Sequence, residues 1–199
     1  MFMKKLLVVV ALSSLFCIPA LAQETPQVEI YGGYSLLHDT GITMHGFQAA
    51  VEGNINDYFS IVGEFGFHKK DFTEEANLVA DLFDLGDVTI ENADLKTYSF
   101  MFGPRVSYRV ERVRPFAHVL FGIQRLTGSA TVEGEQGSQS LNNFAVAFGG
   151  GLDLAVNDMI SIRPAQIDLI SSRFHIGDMS SWENMLRYSA GIVIKFGSK

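Results

Sequence analysis

Residues 97–109 read TYSFMFGPRVSYR. Tyr98, Phe100, Phe102, Pro104, Val106 and Tyr108 fall on one parity; Thr97, Ser99, Met101, Gly103, Arg105, Ser107 and Arg109 fall on the other. Side chains of a strand alternate between two faces, whereas a helix places residues three and four apart together. A strict two-residue period held for thirteen positions therefore excludes an amphipathic helix. One face of this strand is apolar and aromatic. The other is small, hydroxylated and cationic.

The same period recurs on both sides of this stretch. Val28 to Leu36, Phe47 to Ile55, Phe59 to Phe67, Pro115 to Ile123, Phe144 to Leu154, Ile160 to Ile162 and Leu186 to Phe196 each carry apolar residues at alternate positions. With residues 97–109 this gives eight strands, most of them near the roughly 9–11 residues that a tilted strand needs to cross a bilayer. One strand breaks parity: Arg163 is odd, while Gln166 and Asp168 are even. For all three to share a face, a β-bulge must absorb one residue near Pro164-Ala165, a place that suits proline because it has no donor to lose. Asn56-Asp57, Glu111-Arg112 and Asn157-Asp158 mark short turns, and longer polar stretches near 38–46, 69–94, 126–142 and 172–184 read as loops. Short turns on one side and long loops on the other is the outer-membrane barrel arrangement. The fold class is thus all-β: an eight-stranded antiparallel up-and-down transmembrane β-barrel.

Composition agrees. Hydrophobic residues make up 47% of the 199 positions, which argues against disorder. A spanning helix needs roughly 18 consecutive apolar residues, and only the N-terminus comes near that. There, Lys4 and Lys5, an apolar run from Leu6 to Ile18, and Ala20-Leu21-Ala22 read as a cleaved secretory signal over residues 1–22, leaving 23–199 as the barrel domain. Leu15-Phe16 ahead of Cys17 does not suit lipidation, and the mature chain has no other cysteine, as fits an exported protein that needs no disulfide. Cleavage removes two lysines, so 13 basic residues face 22 acidic ones, a net of −9. Such a balance excludes nucleic acid as a partner. Residues 69–94 alone carry −6, and within them Asp81, Asp84, Asp87, Glu91 and Asp94 form an acidic loop with interleaved leucines and Phe83.

A soluble barrel turns its apolar face inward and a membrane barrel turns it outward. Here the apolar set is almost free of charge and rich in bulky aromatics. The polar set mixes Gly, Ala and Ser with Glu29, Glu52, Glu64, Asp153, Asp168, Arg105, Arg109, Arg163, Arg187 and Lys195. Small residues beside long charged ones suit a narrow lumen in which charges pair, because an unpaired buried charge is costly. Phe59, Tyr108 and Phe196 at one end, and Phe67, Tyr98 and Tyr188 at the other, sit where interfacial aromatic belts belong. His118 falls on the lumen side as a hydrogen-bonded filler, and His38, His45, His68 and His175 fall near the outer rim.

The chain resembles the small eight-stranded outer-membrane barrels typified by the OmpA transmembrane domain and OmpX-like proteins, over about residues 27–196. The most specific segment is Ser189-Ala190-Gly191-Ile192-Val193-Ile194-Lys195-Phe196, similar to the family's assembly signal at Ser189, Gly191, Ile194 and Phe196, although Gly197-Ser198-Lys199 follow the aromatic that is commonly terminal. The resemblance implies the outer membrane of a Gram-negative bacterium, lipid and lipopolysaccharide as surroundings, contact with the insertion machinery during assembly, an extracellular partner through the loops, and a monomer. It implies no cofactor.

Enzymes exist on such barrels, and a lipid A deacylase of this architecture uses a His-x-Ser pair. No histidine here is followed two residues later by serine, and no nucleophile has an evident base. The histidines do not cluster at metal-ligand spacing, and the acidic loop lacks EF-hand spacing. The expectation is a non-enzymatic structural or surface-interaction barrel, with a narrow porin-like channel for small solutes as the alternative and a lipid-modifying enzyme third.

Overall fold

The computed structural model describes residues 25–198 apart from 75, 78–89, 133–134 and 177–178. Eight strands run in order: β1 Pro26–Asp39, β2 Ile42–Asn54, β3 Phe59–Asp71, β4 Ile90–Ser107, β5 Val113–Val132, β6 Glu135–Ala155, β7 Ile160–Ile176 and β8 Met179–Ser198. Each pairs antiparallel with its sequence neighbours, and β8 returns to β1 to close the barrel. The signal reading over residues 1–22 and the loop residues Asp81, Asp84 and Asp87 lie outside the described residues.

The three short turns have an explicit chemistry. The side-chain oxygen of Asn56 accepts hydrogen bonds from the Tyr58 and Phe59 amides (2.9 and 2.8 Å). Asn157 does the same for Met159 and Ile160 (2.9 and 2.7 Å). An asparagine that binds backbone two and three residues on mimics a backbone turn. In the third turn, Glu111 adopts a positive φ of 48°.

At the other end the structure departs from the expected loops. Residues 38–46 form a hairpin whose strands meet at Thr40-Gly41, with Asp39 paired to Ile42. Residues 126–142 are the outer parts of β5 and β6, paired as far as Val132 and Glu135. Residues 172–184 are likewise strand, paired as far as Ile176 and Met179. Between β3 and β4 the chain leaves the sheet: Asp71 accepts the Thr73 amide (2.9 Å) and opens a helical turn that includes Ala76 and Asn77. Strand pairing continues past the apolar band because backbone hydrogen bonds do not require one buried face. Alternation vanishes there because both faces meet water.

Parity behaves as the sequence implies. Ile30, Phe47, Phe100, Phe102, Phe121, Phe144, Ile167 and Ile192 lie on the outer surface and are exposed, while the opposite set is buried inside. Phe102 is 64% exposed, Arg187 0%. The bulge in β7 is present: Arg163 pairs with Gly191 and Gln166 with Ser189, so three steps on β7 match two on β8. Arg163, Gln166 and Asp168 all face inward as a result.

Candidate functional site: the barrel interior and its rims

The lower tier of the interior lies near the short turns. Glu29 of β1 accepts hydrogen bonds from Arg109 (2.7 Å), Arg114 (2.9 Å) and Asn54 (3.0 Å). Glu52 of β2 receives Arg105 (2.6 Å), Ser60 (2.6 Å) and Arg114 (3.2 Å). Asp153 of β6 takes Arg114 on one oxygen and Arg163 on the other, each at 2.7 Å. The Arg163 guanidinium also lies 4.4 Å from the ring centres of both Tyr31 and Phe116, and Arg105 stands 4.1 Å over Phe116. Cation–π contacts gain strength when desolvated, so these rings stabilise charges that water does not reach.

The upper tier is built on Arg187 of β8, which pairs with Glu64 and with Asp168 (2.7 Å). Gln166 bridges the tiers: it accepts from Arg163 (2.8 Å) and donates to Asp168 (2.9 Å) and Glu64 (3.3 Å). His118 is the second bridge. Its Nδ1 lies 3.2 Å from Arg105 Nη2, and its Nε2 lies 2.7 Å from Asp168 Oδ1. An arginine can only donate, so Nδ1 accepts and Nε2 carries the proton that Asp168 receives. Toward the outer end Leu37, Met44, Ile170 and Met185 are buried alongside the uncharged polar side chains of Thr97, Gln124, Asn143 and Ser172.

Small inward residues give the network room. A Cβ added to Gly149 would collide with Asp168 Oδ1, and one at Gly66 would stand 2.5 Å from Ser99 Oγ. The mixture of glycine and alanine with long charged residues on one face is therefore a volume requirement.

Nine of the ten expected lumen charges join one connected set: Glu29, Glu52, Glu64, Asp153, Asp168, Arg105, Arg109, Arg163 and Arg187. Lys195 does not. It lies opposite Glu29 in the β1–β8 register, but Arg109 and Arg114 occupy that carboxylate. Arg114, absent from the sequence expectation, contacts Glu29, Glu52 and Asp153. Five carboxylates thus face five arginines. The signal for Arg114 was present, because it lies two residues before Phe116 on the parity of Phe116 and His118. His68 also differs from expectation: it is 1% exposed and lies within hydrogen-bond distance of Ser35 Oγ (2.8 Å), inside the lumen and not on the rim. His38 and His45 do lie at the rim; the His175 side chain is outside the described set.

A cavity of about 600 Å³ opens at the short-turn end, lined by residues that include Arg109, Arg112, Arg114, Asp153 and Lys195. Two of these lining residues, Arg114 and Asp153, are ion-paired with each other. At the opposite end, Asp94 pairs with Lys69 (2.7 Å) and Lys96 (3.5 Å); the Glu91 side chain is outside the described set. Among the described residues, no group of three His, Cys, Asp or Glu converges as a metal site.

A closed eight-stranded barrel with an apolar exterior and a charged interior is the architecture of a small membrane-spanning β-barrel. The family described as "Outer membrane protein beta-barrel domain" matches residues 8–176, and the chain belongs to it. Similar solved structures include Ail, the attachment invasion locus protein of Yersinia pestis, in complex with the heparin analogue sucrose octasulfate (19% identity, 85% of this chain and 96% of that one, TM-score 0.53). Neisserial surface protein A is similar at 14% identity over 85% and 96% of the two chains, with a TM-score of 0.57. A major outer membrane protein of Thermus thermophilus is similar at 12% identity over 85% and 99%, with a TM-score of 0.55. At these identities the likeness is one of fold. No curated protein sequence matches the chain.

Proposed function

We propose that this outer-membrane barrel acts through its outer surface, as a surface-interaction protein whose interior charges serve stability. The observation that carries this reading is the filled lumen: Arg105, Arg163 and Arg187 are each at most 1% exposed and are tied to carboxylates from several strands. A barrel filled in this way offers partners its outer end. Beyond the last outward apolar residue of each strand, the sequence places thirteen acids against five bases, Lys69, Lys70, Lys96, Arg125 and Arg173. That net of −8 suits a cationic extracellular partner and sets the chain apart from Ail, which is described with a polysulfated ligand. The signal at residues 1–22, recognition of Ser189, Gly191, Ile194 and Phe196 by the insertion machinery, and a monomeric state belong to the same reading.

The test is to replace the acids of residues 71–94 by Asn and Gln, and separately to delete each outer hairpin, then measure binding of intact cells to a polycationic surface and to host cells. Loss of binding is expected for the neutralised chain. Unchanged binding in every variant would sink the reading. The narrow channel remains the second reading because of the cavity at the short-turn end, and conductance separates the two. Unaltered lipid composition in a deletion strain is the expected outcome against a lipid-modifying enzyme.

A further inference from the structure

The outward positions just beyond the apolar band form a ring with an ordered chemistry. On each strand the outward apolar run is followed, on the same face, by a first polar residue. In strand order these are His38, His45, Lys69, Lys96, Arg125, Asn142, Ser171 and Asn184. No acid occupies any of the eight positions. Three permanent cations stand on three adjacent strands, β3, β4 and β5, while β6 to β8 carry amides and a hydroxyl.

Register makes the cations neighbours. Lys69 pairs directly with Lys96, and Arg125 pairs with Tyr98, two residues from Lys96 along β4. Beneath them the Phe67 and Tyr98 rings lie 5.0 Å apart, and Phe65 and Phe100 4.9 Å apart, on the lipid face. Like charges directly opposite in a sheet are destabilising. Asp94 offsets part of this by pairing with both lysines, and Asp71 stands opposite Asp94 beside Lys69, which leaves the patch at about +1, with Arg125 away from both acids. The outer end as a whole is acidic, so this basic patch is confined to the level where the apolar wall ends. Aromatic belts mark the headgroup level of a bilayer, and basic residues at that level are attracted to anionic lipid by about 1 kcal/mol each.

We propose that Lys69, Lys96 and Arg125 form a docking site for the phosphate groups of an outer-leaflet lipid, whose acyl chains lie over the Phe65, Phe67, Tyr98 and Phe100 rings. The site fixes one lipid to the β3–β5 side and leaves β6–β8 without one. It goes beyond the surface-interaction reading and does not depend on it: the acids of residues 74–91 can be neutralised with Asp71 and Asp94, which stand beside the two lysines, kept.

The test uses the full mature chain, refolded in micelles and titrated with bisphosphorylated lipid A, with the same lipid stripped of its phosphates, and with inorganic phosphate. Binding is read from backbone amide shifts. The expected result is a preference of at least about 10-fold for the phosphorylated lipid, with shifts concentrated on β3, β4 and β5. K69Q/K96Q/R125Q loses that preference, K96Q alone weakens it, and R173Q on β7 keeps it. All four positions face outward, so heat-dependent gel migration is expected to show each variant folded; should the triple variant fail to fold, K96Q carries the test. Equal binding of the two lipids, shifts spread evenly round the barrel, or the same shifts with inorganic phosphate alone would each overturn the proposal.

Discussion

Arg187 is fully buried and answers two carboxylates from different strands, Glu64 and Asp168. Removing one member of a buried set leaves its partners charged and unpaired, which costs about 3–5 kcal/mol. R187M is therefore expected to lower the unfolding free energy of the refolded barrel, measured by urea denaturation, by that order, whereas R187M/E64Q/D168N recovers a large part of the loss; an R187M chain as stable as the parent would show that the tier contributes nothing. The same logic separates Arg114 from Lys195. R114M abandons Glu29, Glu52 and Asp153 together, while Lys195 holds no carboxylate among the described ion pairs. R114M is expected to cost several-fold more than K195M, measured in the same denaturation experiment; the reverse order would return Lys195 to the network. Sequence parity identified seven members of this set because each lies within an alternating run, and Arg163 and Asp168 through the bulge inferred between them. Arg114 escaped because it stands one residue before the alternating run that begins at Pro115. Lys195 was assigned by parity alone, and parity says which face a residue joins, not which partner reaches it first.

At the level of the strand, one extra residue in β7 decides which side chains the interior receives. The bulge between Arg163 and Gln166 keeps both Gln166 and Asp168 inside. A one-residue slip moves every later side chain to the opposite face. Deleting Ala165 is expected to turn the bulge into regular strand, with Arg163, Gln166 and Asp168 still sharing the inner face by plain alternation and the heat-modifiable form on gels retained, whereas inserting one residue after Asp168 is expected to turn Ile170 and Ser172 toward lipid and abolish it. Loss of the heat-modifiable form from the deletion, or its survival in the insertion, would mean the register is held elsewhere. This bulge was legible because three polar residues could share a face in no other way. The outer strand lengths were not. Residues 126–142 read as a loop because Ser, Thr, Gly, Gln, Glu and Asn dominate the stretch, yet Thr127 pairs with Ser140 and Ser129 with Ser138 in register. Hydrophobic periodicity reports burial of one face, and above the bilayer neither face is buried.

Across the whole molecule, charge is layered along the barrel axis. The paired interior set is balanced, five carboxylates against five arginines, and the acids of the chain gather beyond the apolar band. The layering follows from what each zone permits: paired charge inside, none on the lipid-facing wall, a basic patch where the wall ends, and free acids in water. Eight strands leave an interior just wide enough for side chains to fill, and here the fill is cross-strand. Glu52 of β2 reaches Arg105 of β4 and Arg114 of β5, while Arg187 of β8 reaches Glu64 of β3 and Asp168 of β7. An ion entering from the 600 Å³ cavity would have to break several of these pairs at once, each opening leaving buried charges unpaired. Thermal opening of that size is rare on the timescale of conduction. Purified protein in a planar bilayer at high salt is accordingly expected to give no stable single-channel steps. R114A/R163A, which strips the Asp153 carboxylate of both its arginine partners and removes bulk from the lower tier, is expected to give brief, cation-selective openings if it still folds. Reproducible steps of one size from the unaltered chain would reassign the lumen from a stabilising plug to a pathway.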